Sequence, residues 1–294
     1  MERARHRPPA GSGASPWHDA VRRLRRNRLA MLGMLVLAAF VLAALLAPWI
    51  APYAYDKTNL RYGAQPPTRA HVLGTDELGR DLFTRTLYGA RISFAVGILA
   101  TLVSLTIGVS YGSVAAFGGG RTDQLMMRIV DILYGLPFMF FVIILMVIFG
   151  RNILNLFIAL GAVQWLTMAR IVRGQVLSLK SREFVLSAHA LGVSPPRLIL
   201  RHLLPNALGP IVVYATLTVP AVMLEEAFLS FLGLGVQPPM ASWGSLAAEG
   251  AAAMEAYPWL IVFPGLALTV TLLSLNFVGD GLRDALDPQV GRRV

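Results

Sequence analysis

The sequence predicts an all-α integral membrane protein with six membrane-spanning helices. Two observations carry this reading: long stretches without any Asp, Glu, Lys or Arg, and a one-sided distribution of the basic residues between them. The 294 residues are 55% hydrophobic and only 14% charged, with no cysteine. That composition excludes a disordered tail and a disulfide-built secreted domain. Charge-free windows run over 29–55, 92–120, 132–150, 152–169, 202–224, 227–248 and 256–279. A helix needs about 20 apolar residues to cross roughly 30 Å of hydrocarbon, so windows of this length and number are a membrane signature.

Seven windows reduce to six spans. Glu225 and Glu226 divide one apolar region, and the part that follows holds Gly233, Gly235, Pro238 and Pro239, which end a helix. The spans are expected at about 29–50, 92–117, 127–149, 153–172, 209–232 and 259–279. With the N-terminus inside, the inner segments hold 19 Lys and Arg residues and the outer segments 7, so both termini are expected in the cytoplasm. The chain then divides into a basic tail (1–28), a first span with an extracytoplasmic segment (29–91), a core of five spans (92–283) and a short cytoplasmic tail (284–294).

The net charge of +10 is spread along the membrane flanks, with no basic patch interleaved with aromatics, so it points to the inner leaflet of the bilayer and not to nucleic acid. The first apolar stretch is longer than the 7–15 residues of a secretory signal and follows a basic leader, which suits an uncleaved span. His6, His18, His71, His189 and His202 occur singly and without ligand spacing, so no metal site is expected. A G-x-S-x-G elbow is absent, and Ser230 has no intramembrane histidine to act as its base. Lys57 and Lys180 are the only lysines and neither follows a glycine, which excludes a Walker A loop. No catalytic residue and no cofactor is expected in this chain.

Between the fourth and fifth spans, the segment at about 183–205 carries its own pattern. Glu183 to Leu191 reads as a short helix, Gly192 as its stop, and Ser194-Pro195 as the start of a second helix ending near Pro205. This makes a helix–glycine–helix elbow at the inner surface. Ser187, Ala188 and Ala190 beside Leu186 and Leu191 form a narrow face suited to another protein's groove, or to lipid head groups.

This loop resembles the EAA loop in permease subunits of binding-protein-dependent ABC importers, whose form is E-A-A, three residues, G, nine residues, I-x-L-P. Leu186, Ser187 and Ala188 stand at the E-A-A positions, His189, Ala190 and Leu191 follow, Gly192 is the glycine, His202 stands at the Ile position, and Leu204-Pro205 closes the motif. Leu186 replaces the glutamate, so any ionic contact made there by relatives is missing. Three further stretches are similar to the dipeptide, oligopeptide and nickel branch: His71-Val-Leu-Gly-Thr-Asp-Glu-Leu-Gly-Arg-Asp81 with Leu87-Tyr-Gly-Ala-Arg-Ile-Ser93, then Arg121-Thr-Asp123 with Asp131 and Pro137, then Glu226-Ala-Phe-Leu-Ser-Phe-Leu-Gly-Leu-Gly235.

The resemblance implies a type I ABC importer permease fold, in the second permease of a pair, lying in a prokaryotic cytoplasmic membrane. It also implies partners: a homologous permease, two cytoplasmic ATPases that bind ATP and Mg2+, and an extracytoplasmic solute-binding protein. The chain itself would catalyse nothing. The competing class is an ion-gradient-driven secondary transporter, for which midplane carboxylates and an inverted repeat are expected.

Two charge features lie inside the spans. Arg128 and Asp131, three apart on a helix, are expected to form a structural ion pair. Glu225 is 15 residues beyond Pro210, about 22 Å of helix rise, which puts Glu225 and Glu226 in the outer leaflet. Neighbouring helix residues diverge by about 100°, so at most one carboxylate faces a given neighbour or cavity while the other snorkels or faces a partner permease. The inward one either lines an outer gate or path or, the favoured reading, accepts hydrogen bonds from the turn at Gly233 to Gly235.

Overall fold

The computed structural model describes residues 16–286. The order is α1 (Pro16–Arg26), α2 (Arg28–Ile50), α3 (Leu82–Gly118), α4 (Gly120–Tyr134), α5 (Phe138–Phe149), α6 (Ile153–Lys180), α7 (Glu183–Ala190), α8 (Pro195–Leu198), a π turn (Ile199–Leu203), α9 (Leu204–Phe231), α10 (Trp243–Ala252) and α11 (Trp259–Leu286). Among the described residues the only β pairing is an isolated bridge between Thr75 and Asp81.

Five helical stretches are long and apolar enough to cross a membrane, and α4 with α5 makes a sixth if the bent pair is one span. Caps explain where several begin. The Asn27 side chain accepts from the Ala30 N–H, the Asp81 carboxylate from the Thr84 N–H, and the Asn152 side chain from the Asn155 N–H.

The expected continuous third span is not continuous. α4 and α5 meet at a bend of 86°. Gly135 closes α4, and Pro137, which has no N–H to donate and forces its predecessor out of helical geometry, opens α5. With 12 residues, α5 is about 18 Å long and too short to cross alone.

The elbow's second helix also departs from expectation, because it does not end near Pro205. A proline ring clashes with the carbonyl four residues back, and the π turn immediately before α9 widens the backbone there. The helix therefore passes Pro205 and continues to Phe231.

α3 and α6 form the most extensive helix contact of the bundle. Lipid supplies little driving force for helix association, so backbones must approach closely to gain dispersion contacts. Small residues permit it: a Cβ on Gly108 would lie 2.6 Å from the Met168 Cβ, and one on Gly161 would lie 2.6 Å from the Val103 Cβ. Two apolar clusters stack along this axis. One joins Val96, Val142, Leu156, Leu160 and Val222. The other joins Met168, Val172, Val176, Val185, Leu203 and Ile211, and so ties the elbow to the bundle.

Candidate functional site

The elbow is built on one turn geometry. Gly192 has φ 81° and donates its N–H to the His189 carbonyl at 2.9 Å, while Val193 donates to the Ala188 carbonyl at 3.2 Å. This pair of bonds is a Schellman closure, which needs a left-handed residue after the helix. Nothing lies within 4 Å of where a Gly192 Cβ would be, so glycine is required here by conformation alone.

Val185 and Leu198, 3% and 1% exposed, pin α7 and α8 to the bundle. Ser194 occupies the cap position before Pro195, but its hydroxyl makes no capping bond. Apolar side chains face outward here: Leu186 on α7 is 55% exposed and Leu191, just after it, 85%. Ser187, His189 and Ala190 are exposed beside them, and Ala188 is half-buried. Behind α7 lies a hollow of about 230 Å3 bounded by Phe117, Lys180 and His189. Lys180 Nζ donates to the Phe117 carbonyl at 2.7 Å, satisfying an open carbonyl at the end of α3 and holding the elbow's root to it. Leu204 and Pro205 form the first turn of α9.

The two adjacent carboxylates diverge as expected, with different partners from those expected. Glu226 is 1% exposed, and its Oε1 accepts from Ser230 Oγ at 2.8 Å and Ser242 Oγ at 2.7 Å. The turn at Gly233 to Gly235 is instead closed by its own backbone, with Gly233 N–H to the Ser230 carbonyl and Leu234 N–H to the Leu229 carbonyl. Ser242 also caps α10 by a reciprocal pair of bonds with Ser245, so Glu226 locks α10 onto α9.

Glu225 faces the other way. Its Oε1 accepts from Gln164 Nε2 at 2.7 Å, and its buried Oε2 has no hydrogen-bond partner. It borders a cavity of about 260 Å3 under the α4–α5 bend, shared with Tyr134, Leu136, Gln164 and Thr167.

Asp131 is not paired with Arg128, which is exposed. It bonds Arg170 across the helix interface at 2.7 Å, while Asp123 takes a two-pronged bond from Arg173 at 2.6 Å. An Arg placed three residues before an Asp opposes the helix dipole, whereas guanidinium groups from α6 reach both carboxylates across the interface, Arg170 with one bond and Arg173 with two. These pairs clamp α4 to α6.

A second polar assembly, not expected as a site, closes the opposite end of the bundle. Asp76 accepts from Arg80 Nε and Arg85 Nη1, both at 2.7 Å, and Arg85 reaches Glu249 on α10 at 2.8 Å. Asp81 caps α3 and bonds His71 Nδ1 at 2.8 Å. Trp243, 1% exposed, donates from its indole to the Thr86 carbonyl and packs edge-on to Phe40 and Phe94. The run from His71 to Asp81 was a usable signal, because much of its polar content is spent on this closure.

The bundle is a multi-helix membrane architecture with an exposed elbow and with polar groups buried between its spans. This chain belongs to the family of binding-protein-dependent transport system inner membrane components, whose model matches residues 108–292, and an N-terminal transmembrane domain of oligopeptide transport permease C matches residues 15–67. It is a multi-pass protein of the cytoplasmic membrane, an ABC importer permease. It is 52% identical to the oligopeptide transport system permease OppC of Haemophilus influenzae over 94% of this chain and 90% of that one. It is 48% identical to the dipeptide transport system permease DppC of Bacillus subtilis, covering 93% and 86%. A chain of the MetNI methionine ABC transporter, solved in an inward-facing conformation, overlays with TM-score 0.58 at 18% identity, covering 70% of this chain and 96% of that one, which shows a shared fold.

Proposed function

We propose that this chain is one of two paired permeases in an ATP-driven importer of dipeptides or oligopeptides, and that the α7–α8 elbow couples it to cytoplasmic ATPases. The observation that carries the coupling is the elbow itself: a short helix held by a Schellman turn and two buried anchors, yet presenting Leu186 and Leu191 outward with nothing among the described residues to cover them. The peptide class follows from relatives named for oligopeptide and dipeptide transport. The ATPases supply ATP and Mg2+ chemistry, and a solute-binding protein delivers cargo from outside.

In this reading the termini and residues 173–208 are cytoplasmic, while 51–90 and 233–258 are outside. ATPase closure moves α7; the elbow continues without interruption into α9 and roots in α6, so both helices move with it. The Asp123–Arg173 and Asp131–Arg170 pairs carry α4 along. The path between two permeases then alternates between inward and outward access, with Glu225 lining it and Glu226 structural.

Purification from detergent tests the assembly. Two ATPases and a second permease should accompany this chain, and a peptide-loaded binding protein should raise ATP hydrolysis in the reconstituted complex. Purification as a lone transporter, with uptake driven by an ion gradient, would contradict it. Orientation is read separately: single cysteines at Gln65 and Met240, but not at Ser181, should react with an impermeant thiol reagent in intact cells.

A further inference from the structure

We infer that the cavity beneath the α4–α5 bend is a subsite for a primary ammonium group, such as the amino end of a peptide in transit, with Glu225 as the residue that receives it. This rests on the reading of the chain as a peptide-importer permease and names the chemical group that its path recognises.

The argument begins with unmet bonding capacity. A carboxylate inside a membrane protein is costly unless it is paired or takes several hydrogen bonds. Glu226, one residue on, shows what a structural carboxylate looks like here: it is fully enclosed and takes two hydroxyl donors on Oε1, from Ser230 of α9 and from Ser242, which also caps α10. Glu225 has a single donor, the Gln164 amide, on Oε1, and its Oε2 is buried without a partner beside an open cavity. A neutral amide offers orientation and leaves the charge uncompensated.

The rest of the lining fits a cationic donor. Among the described residues, no Lys, Arg or His borders the cavity. Arg170 lies nearby, with its guanidinium 4.3 Å from the Tyr134 ring centroid, but its charge is met by Asp131. The Tyr134 hydroxyl and Thr167 Oγ1, 3.3 Å apart, add oxygen atoms able to accept from a second and third ammonium hydrogen. Its volume, about 260 Å3, falls just below the range of about 300–1,000 Å3 usual for whole small-molecule sites, so it takes one end of a peptide and leaves the remainder in the path. Leu136 and the α4–α5 bend form one wall, which gives the third span's interruption a role in making room for this group.

The test uses the assembled importer and the absence of cysteine from this chain. Ala162 borders the same cavity. In an Ala162→Cys background, the rate of modification by a cationic aminoethyl methanethiosulfonate is compared with that by its anionic sulfonatoethyl counterpart, scored on this chain's band. The cationic preference should be at least about tenfold, the scale of one unit charge a few ångström away in a partly wet interior. Glu225→Gln should abolish most of that preference while leaving the rate with a neutral methyl reagent unchanged. Trialanine should slow the cationic reaction, and N-acetyl-trialanine should not. Equal preference with and without Glu225, or equal protection by the two peptides, overturns the inference. Failure of the importer reading shows separately, as loss of peptide-stimulated ATP hydrolysis in the cysteine-free protein.

Discussion

The two ends of the bundle are finished in opposite ways. At the end formed by residues 51–81 and α10, charged groups are turned inward and matched to one another: Asp76, Arg80 and Arg85 are 5%, 8% and 1% exposed, and Trp243 is sealed between aromatic rings. At the elbow, the chain turns apolar side chains outward and leaves them bare, with Leu191 at 85% and Leu200 at 64% exposed. Burying ions against each other gives no stickiness toward other molecules, whereas exposed leucines on a rigid helix gain free energy as soon as something covers them. The 51–81 end is tied together by its own ion pairs, with Leu60 and Val72 also exposed there; in the proposed function the elbow's leucines are covered by a partner.

Substitutions should separate the two ends, and the largest effect belongs to the closed one. Arg85→Leu leaves Asp76 buried with fewer donors, a loss of about 3–5 kcal/mol, and should sharply reduce the folded protein recovered from membranes. The same measurement on Arg85→Lys, which keeps a charge, should give a smaller loss.

Glu226 sharpens the comparison within α9. Glu226→Leu strands the Ser230 and Ser242 hydroxyls and loosens α10, at about 1–3 kcal/mol, lowering the thermal midpoint of the complex. Glu226→Gln keeps an acceptor and should be mild. A variant that assembles normally but alters which solutes are carried would move Glu226 into the path.

The elbow should respond differently. Gly192→Val places a β-branched residue at φ 81°, at a local cost of about 1–2 kcal/mol, with no clash to spread the damage. The subunit should stay in the membrane at normal levels while transport and ATPase stimulation fall together. Equal loss of protein would make the elbow part of the fold's foundation, as the opposite end is.

Leu186→Ala should have the smallest effect on this chain alone, within about 0.5 kcal/mol, because the side chain is already half in solvent. Assembly with the ATPases should weaken modestly. With no carboxylate at that position, the weakening should vary little with salt.

Much of this was legible in the sequence. Charge-free windows located the helices, and Gly192 with Ser194-Pro195 located the elbow, because turn chemistry is local and glycine at a left-handed position leaves a plain signature. Pairings between helices were not legible. Asp131 sits three residues from Arg128, but its partner is 39 residues away on α6, and Glu249 lies 164 residues from Arg85. Gln164 carried a faint signal, an amide within an apolar window, which only its contact with Glu225 makes meaningful. The interruption of the third span was written in Gly135 and Pro137, yet an apolar run of normal length concealed it.

The claim that α7 is an unfinished surface awaiting an ATPase is tested most directly by crosslinking. A cysteine at Ser187, the only one in this chain, should couple to a cysteine on the ATPase groove, with a yield that changes between nucleotide-free and ATP-trapped complexes. No crosslink from any position between Phe184 and Leu191, in either state, would contradict the account and leave α7 as an interfacial helix resting on lipid.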